Sequence, residues 1–302
     1  MRITDQMLVD QTVQNLWANE TRLENVQNQL TTGKKLSQIS DNPEDGSVAL
    51  TIRAGIAQTN QFLRNVDAAK AWLSTTDSAL GGVDQSVLRA QELAVQGAND
   101  TLSASDRQGM AQEVDALIGQ VVQLGNSTYA GSYLFAGAQT TSAPFSYSGG
   151  TVTYNSNDPV SAIAPLIRQI GPDARVQVNT IGHDPTTGQA LFDTVFAALT
   201  TLKQALQTND TSAIQSSITA LQDAQQQLVQ ERESVGARIN EVTTAGTQLT
   251  NVQARLSMTQ ANLEDADMIQ AATDYAQADI VRRAGMSAAA KTLPPSLFDY
   301  LA

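Results

Sequence analysis

The sequence predicts a mainly α fold: a long antiparallel helical rod of coiled-coil character, built from both chain ends and carrying a small β-rich insert. Three observations predict it. First, eight apolar residues stand at every seventh position near the C-terminus: Ile214, Leu221, Leu228, Val235, Val242, Leu249, Leu256 and Leu263. Second, two more such ladders open the chain: Val9, Leu16, Leu23 and Leu30, then Ile52, Thr59, Val66, Leu73, Leu80 and Val87 with one polar rung. Sustained heptads mark long helices whose apolar seams need other long helices. Third, between Tyr129 and Gly188 the heptads give way to alternation, and prolines and aromatics gather there.

Taken in order, residues from Met7 to Leu30 read as a helix, with Val13 and Val26 widening its seam and Gly33 as its stop signal. Asn42 reads as an N-cap, Pro43 as the first helical residue, and Glu44 and Asp45 as acids facing the positive end of the helix dipole. That second helix is expected to run from Pro43 to Gly97. Gly81 and Gly82 cost about 1 kcal/mol each relative to alanine, so they mark a kink or a close helix contact. Ser103 and Asp106 form a capping box that starts a third helix through Gln123. Phe145, Tyr147, Val152 and Tyr154 alternate around Ser148-Gly149-Gly150, the signature of a β-hairpin. A short helix is expected from Ala162 to Ile170, a strand from Arg175 to Val178, and a helix from Gln189 to Gln207. No proline interrupts residues 211–292, so a single helix of about 120 Å is expected there at 1.5 Å per residue. Beyond Leu263 alanines replace the larger apolar residues.

Composition narrows the function. The 302 residues carry 41% hydrophobic residues but only 5% aromatic and 16% charged ones. Gln, Asn, Thr and Ser coat the predicted helices, and such neutral faces pack side by side with little repulsion. The net charge of −12 works against nucleic acid and anionic membrane surfaces. The absence of cysteine excludes disulfides, thiol catalysis and Cys-type zinc sites. The first sixteen residues show no apolar h-region and no small-residue cleavage site, and no run of about twenty apolar residues occurs, so the chain is expected to be cytosolic unless a dedicated route exports it.

Catalytic patterns are weak. The single histidine, His183, stands in a Gly/Pro loop and reads as a solvated residue. The Asp41–Gly46 stretch is a helix cap rather than a calcium loop, since Pro43 offers no ligand and Ile52 stands where the bidentate acid belongs. Glu264, Asp265 and Asp267 read as a solvated helix face, and Gly131–Gly137 lacks the context of a phosphate loop. No enzyme, cofactor or metal site is expected. What remains is assembly, since the two ends lack an obvious core and must pair with each other or with neighbours. The expected interface is Val9, Val13, Leu16, Leu23, Leu30, Leu263, Ile269, Ala276, Ile280, Met286, Leu293, Leu297 and Leu301. Two-helix arms are marginal alone, so the ends are expected to be poorly ordered in the monomer and to fold on assembly.

Three stretches carry a family resemblance. Residues 23–50, with their helix, Thr-Gly-Lys turn and Asp-rich loop, resemble the N-terminal segment of bacterial flagellins. Residues 99–137 resemble the flagellin segment that follows, and residues 235–280, with Asn262-Leu263-Glu264-Asp265-Ala266-Asp267, resemble the C-terminal one. The Met1-Arg2-Ile3-Thr4 start, Ser132–Gly137 followed by Pro144-Phe145, the Ser-Leu-Phe-Asp-Tyr-Leu ending and the short insert resemble junction members of that family more than filament subunits. The resemblance implies terminal arms at 1–42 and 264–302, a helical rod domain at 43–130 and 189–263, and an outer domain at 131–188. It implies a structural adaptor between hook and filament, exported by the flagellar type III apparatus without signal cleavage. The implied partners are copies of itself, another hook-associated protein, flagellin and an export chaperone. A small flagellin is the alternative, and a chemoreceptor-like signalling rod a distant one.

Overall fold

A computed structural model of the chain describes residues 5–36, 38, 40, 42–155 and 159–292. The order of elements is α1 (Asp5–Thr32), α2 (Pro43–Gly97), α3 (Ala104–Gly125), β1 (Thr128–Tyr129), β2 (Ser132–Tyr133), β3 (Phe145–Ser148), β4 (Thr151–Tyr154), α4 (Pro159–Ala162), β5 (Ile167–Gln169), β6 (Arg175–Gln177), α5 (Leu191–Gln207), α6 (Thr211–Glu264) and α7 (Met268–Thr292). The strands form three separate antiparallel ribbons, β1–β2, β3–β4 and β5–β6. Contacts divide the chain into two compact units, residues 59–251 and residues 1–58 with 252–302.

In the 59–251 unit the heptad ladders become the core. Leu73, Leu80 and Val87 of α2 are fully buried, as are Ile214, Leu221, Leu228, Val235 and Val242 of α6. Where α6 passes α2, a methyl added to Gly246 would stand 3.0 Å from Val66. Gly82 is likewise a close contact, with Leu124 of α3 at 3.0 Å from an added methyl, and α2 stays helical through it. Ser103 caps α3 as expected: the Asp106 amide donates to its hydroxyl, and its own amide donates to the Asp106 carboxylate. Ser103→Ala is expected to lower stability by about 1 kcal/mol, measured as a shift of the urea midpoint with unchanged slope.

Buried Arg107 performs a task the pattern does not reveal. Its guanidinium donates to the carbonyls of Gly97 (2.8 Å) and Asn99 (2.9 Å) and to the Asn209 side chain. It thereby satisfies the last carbonyl of α2, which lacks a helical partner, and ties that end and the turn after it to the turn before α6.

The hairpin forms as expected, with Gly149 (φ 59°) and Gly150 (φ 82°) in the left-handed conformations that a tight two-residue turn requires. It is pinned from below. Phe145 packs against Phe192 (5.1 Å between ring centres) and Phe196 (5.3 Å), and Phe135 against Phe192 (4.8 Å). Lys203, almost fully buried, donates to Asp115 (3.1 Å) and to the Gly150 carbonyl (2.9 Å). The Tyr147 hydroxyl donates to the same Asp115 carboxylate, which holds that carboxyl below its ordinary range.

Two expectations are corrected in this unit. The helix expected from Ala162 to Ile170 is absent: α4 ends at Ala162, and Ile167–Gln169 is a strand paired with Arg175–Gln177. Buried Asn179 competes with helix formation there, accepting from the Leu166 amide (2.8 Å) and donating to the Ala164 carbonyl (3.0 Å). His183 is not a solvated loop residue. Its Nδ1 pairs with Asp193, its ring lies 4.0 Å from that of Tyr154, and its side chain is only 21% exposed. Asp193 also accepts from the Ala190 amide at the start of α5 (3.2 Å), so the histidine completes a cap rather than a catalytic set.

Candidate assembly surface

The other unit contains α1, α7, the first turns of α2 and the last turns of α6. α1 ends where Gly33 takes φ 70°, and the chain after it returns across the end of α6. There the long final helix breaks. The single helix expected over 211–292 is instead α6 and α7, separated at Asp265–Asp267. The cause is local and polar. The Asp267 carboxylate accepts from the Ile269 (2.9 Å) and Gln270 (3.2 Å) amides, a side-chain N-cap that begins α7 afresh. The freed backbone groups find partners across the unit: Ala266 donates to the Gly33 carbonyl (2.8 Å), and Lys35 to the Glu264 carbonyl (2.8 Å).

At this break Glu264 is 1% exposed, which corrects its reading as a solvated residue; Asp265 and Asp267 are exposed. Its carboxylate receives Lys34 Nζ at 2.7 Å, Arg53 Nε at 2.8 Å and the Gln260 amide at 3.2 Å. The hydrogen bond from Arg53, followed by those from Lys34 and Gln260, outweighs burial and holds the carboxyl down to about 2. One carboxylate thus ties together the α1–α2 connection, α2 and the end of α6. The spacing of three acids gave no signal of it, because the cations lie more than two hundred residues away in sequence.

α1 and α7 pack against each other. Val26 of α1 and Ala271 and Ala278 of α7 are buried, and Gly285 lets Leu16 approach to 3.1 Å of where a methyl would stand. Small residues on α7 are what permit this closeness. The sequence-predicted interface residues divide accordingly. Leu16, Leu23, Leu30 and Leu263 are half-buried within the unit, whereas Val13, Ile269, Ala276, Ile280 and Met286 are exposed. Val9 falls within α1; Leu293, Leu297 and Leu301 lie outside the described residues. Trp17, which lies outside the Val9–Leu30 ladder, is 74% exposed on α1.

The exposed apolar surface is uneven. Twelve of the seventeen exposed large apolar side chains among the described residues belong to this terminal unit, the smaller of the two. Among the described residues no group of three His, Asp or Glu side chains could hold a metal ion, and no helix is long and apolar enough to cross a membrane.

A fold that pairs an N-terminal helix with a C-terminal one in a single unit, and exposes most of its large apolar side chains there, is that of a helical structural protein. Comparison with known proteins places it. Residues 3–140 match the profile of the bacterial flagellin N-terminal helical region, and residues 218–301 that of the C-terminal helical region. The chain belongs to the bacterial flagellin family. It is 31% identical over 196 residues to the flagellar hook-associated protein 3 of Salmonella typhimurium, a match spanning 65% of this chain and 58% of that relative's length. Its fold is similar to that of a flagellar hook-associated protein from Vibrio parahaemolyticus (TM-score 0.64, 18% identity, 74% of this chain and 100% of that one). It is also similar to FlgL of Bacillus cereus (TM-score 0.59, 24% identity, 70% and 98%).

Proposed function

We propose that this chain is a structural adaptor of the bacterial flagellum that joins hook to filament and catalyses nothing. The concentration of exposed apolar side chains on the terminal unit carries the reading, in a chain whose 31% identical relative is named as hook-associated. Residues 1–42 and 264–302 are the assembly arms, 43–130 with 189–263 the helical body, and 131–188 the outward domain. The chain meets copies of itself, another hook-associated protein on the hook side and flagellin on the filament side. It reaches that place outside the cell through the flagellar type III apparatus, with a chaperone and without signal cleavage. The interface residues are those exposed on α1 and α7, together with Leu293, Leu297 and Leu301, which lie outside the described residues.

Immunogold labelling of intact flagella tests the placement. One band of label at the hook–filament boundary is expected; label along the filament would make the chain a filament subunit and overturn the reading. Removal of residues 265–302 is expected to leave residues 59–251 cooperatively folded, because the buried ladders of α2 and α6 there do not draw on α7. The same truncation is expected to abolish filament growth, scored by electron microscopy of cells whose only copy is truncated.

A further inference from the structure

The terminal unit carries an exposed acidic–aromatic surface on α1 and an exposed arginine on α7; the inference drawn from them rests on the assembly reading above and names its contact. The surface on α1 is a cleft of about 410 Å³, lined by Leu16, Trp17, Glu20, Thr21 and Glu24. An exposed indole with carboxylates one and two helical turns further on is the chemistry that takes a guanidinium: the ring face attracts the cation, and the carboxylates accept its hydrogen bonds. Among the described residues no arginine forms an ion pair with the cleft's carboxylates. Arg282 lies in the field of Glu20, but its Nη2 donates to Asp279 at 2.9 Å. Glu24 is exposed and has no ion pair among the described residues.

The arginine stands on α7. Ile269, Ala276 and Arg283 recur at sevens with Ile280 between them, and all four are exposed. Ile280 is 67% exposed and the Arg283 side chain 74%. Arg283 pairs within its own helix with Asp279 at 2.7 Å, a solvated contact that exchanges readily for a better one. In a chain of net charge −12, copies repel unless acid and base meet locally. We propose that Arg283 of one copy seats in the Trp17–Glu20–Glu24 cleft of the next, with Ile280 packing beside Trp17. The two surfaces differ, so the contact is heterologous and builds rings or helical tubes rather than closed dimers.

Charge exchange tests this on the full-length chain. Sedimentation at up to millimolar concentration is expected to show self-association of the wild type, weakened at least tenfold by Glu20→Arg/Glu24→Arg and equally by Arg283→Glu. Circular dichroism is expected to stay unchanged in both variants. An equimolar mixture is expected to regain association, since each variant's cleft then matches the other's residue 283. A wild type that stays monomeric, variants that associate normally, or a mixture as weak as its parts would each overturn the contact. Immunogold placement is read on unmodified flagella, so the location can fail while this contact stands, and the reverse.

Discussion

Phe192→Ala will be the most destabilising single substitution in the 59–251 unit, costing about 3–5 kcal/mol. Phe192 is fully buried, and its ring meets those of Phe135, Phe145 and Phe196 at 4.8, 5.1 and 5.9 Å. Truncation removes the transfer free energy of the ring and leaves a cavity among aromatics that cannot all turn to fill it. Edge-to-face geometry, as between Phe135 and Phe192, is lost besides. The loss falls where the β3–β4 hairpin rests on α5, and a two-stranded ribbon has little stability of its own. Hydrogen exchange is therefore expected to speed up most in the hairpin amides, with a smaller change along α2 and α6. Equal acceleration throughout would mean that the aromatic cluster supports the helices as much as the insert.

The long helices were legible because a heptad repeats many times and each rung reinforces the last. The α2 bounds follow from Asn42, whose side chain accepts from the Glu44 and Asp45 amides, and the α3 start follows from Ser103. The capping chemistry is local, so the sequence displays it. What escaped were arrangements set by partners distant in the chain. Residues 162–170 look helical by composition, yet Asn179 and Arg175–Gln177 claim their backbone groups for a strand. Proline-free residues 211–292 look like one helix, yet Asp267 finds its own amides to cap while Gly33 and Lys35 take up the freed groups. The heptad reading also treated each apolar residue as equivalent. Alanine takeover after Leu263 pointed to a different contact there, but periodicity could not tell Leu16, which faces α7, from Val13 and Trp17, which face solvent. Only the paired helices separate the seam within a chain from the surface left for its neighbours.

Glu264→Gln will loosen the terminal unit, and its effect will depend on pH in a defined sense. The carboxyl is held at about 2 in the folded chain against 4.5 as an ordinary glutamate. A carboxylate depressed by folding contributes stability that is fully present above about 4.5 and lost as pH falls toward 2. Linkage over that interval amounts to about 2–3 kcal/mol once discounted for solvent around Lys34 and Arg53, which are roughly half exposed. Glutamine keeps the shape but not the charge, so Lys34 and Arg53 lose their common acceptor. The gap in stability between wild type and variant is expected to be nearly constant from pH 7 to 5 and to close below that, read from urea unfolding of full-length protein at successive pH values. Hydrogen exchange should rise at Lys35 and Ala266, whose amides bond across the α6–α7 break, while the buried rungs from Ile214 to Val242 keep their protection. A gap that persisted unchanged below pH 3 would show that the charge of Glu264 does not hold the break. A gap that closes would show that the charge of one buried carboxylate holds the α1–α2 connection, α2 and the end of α6 together at the break.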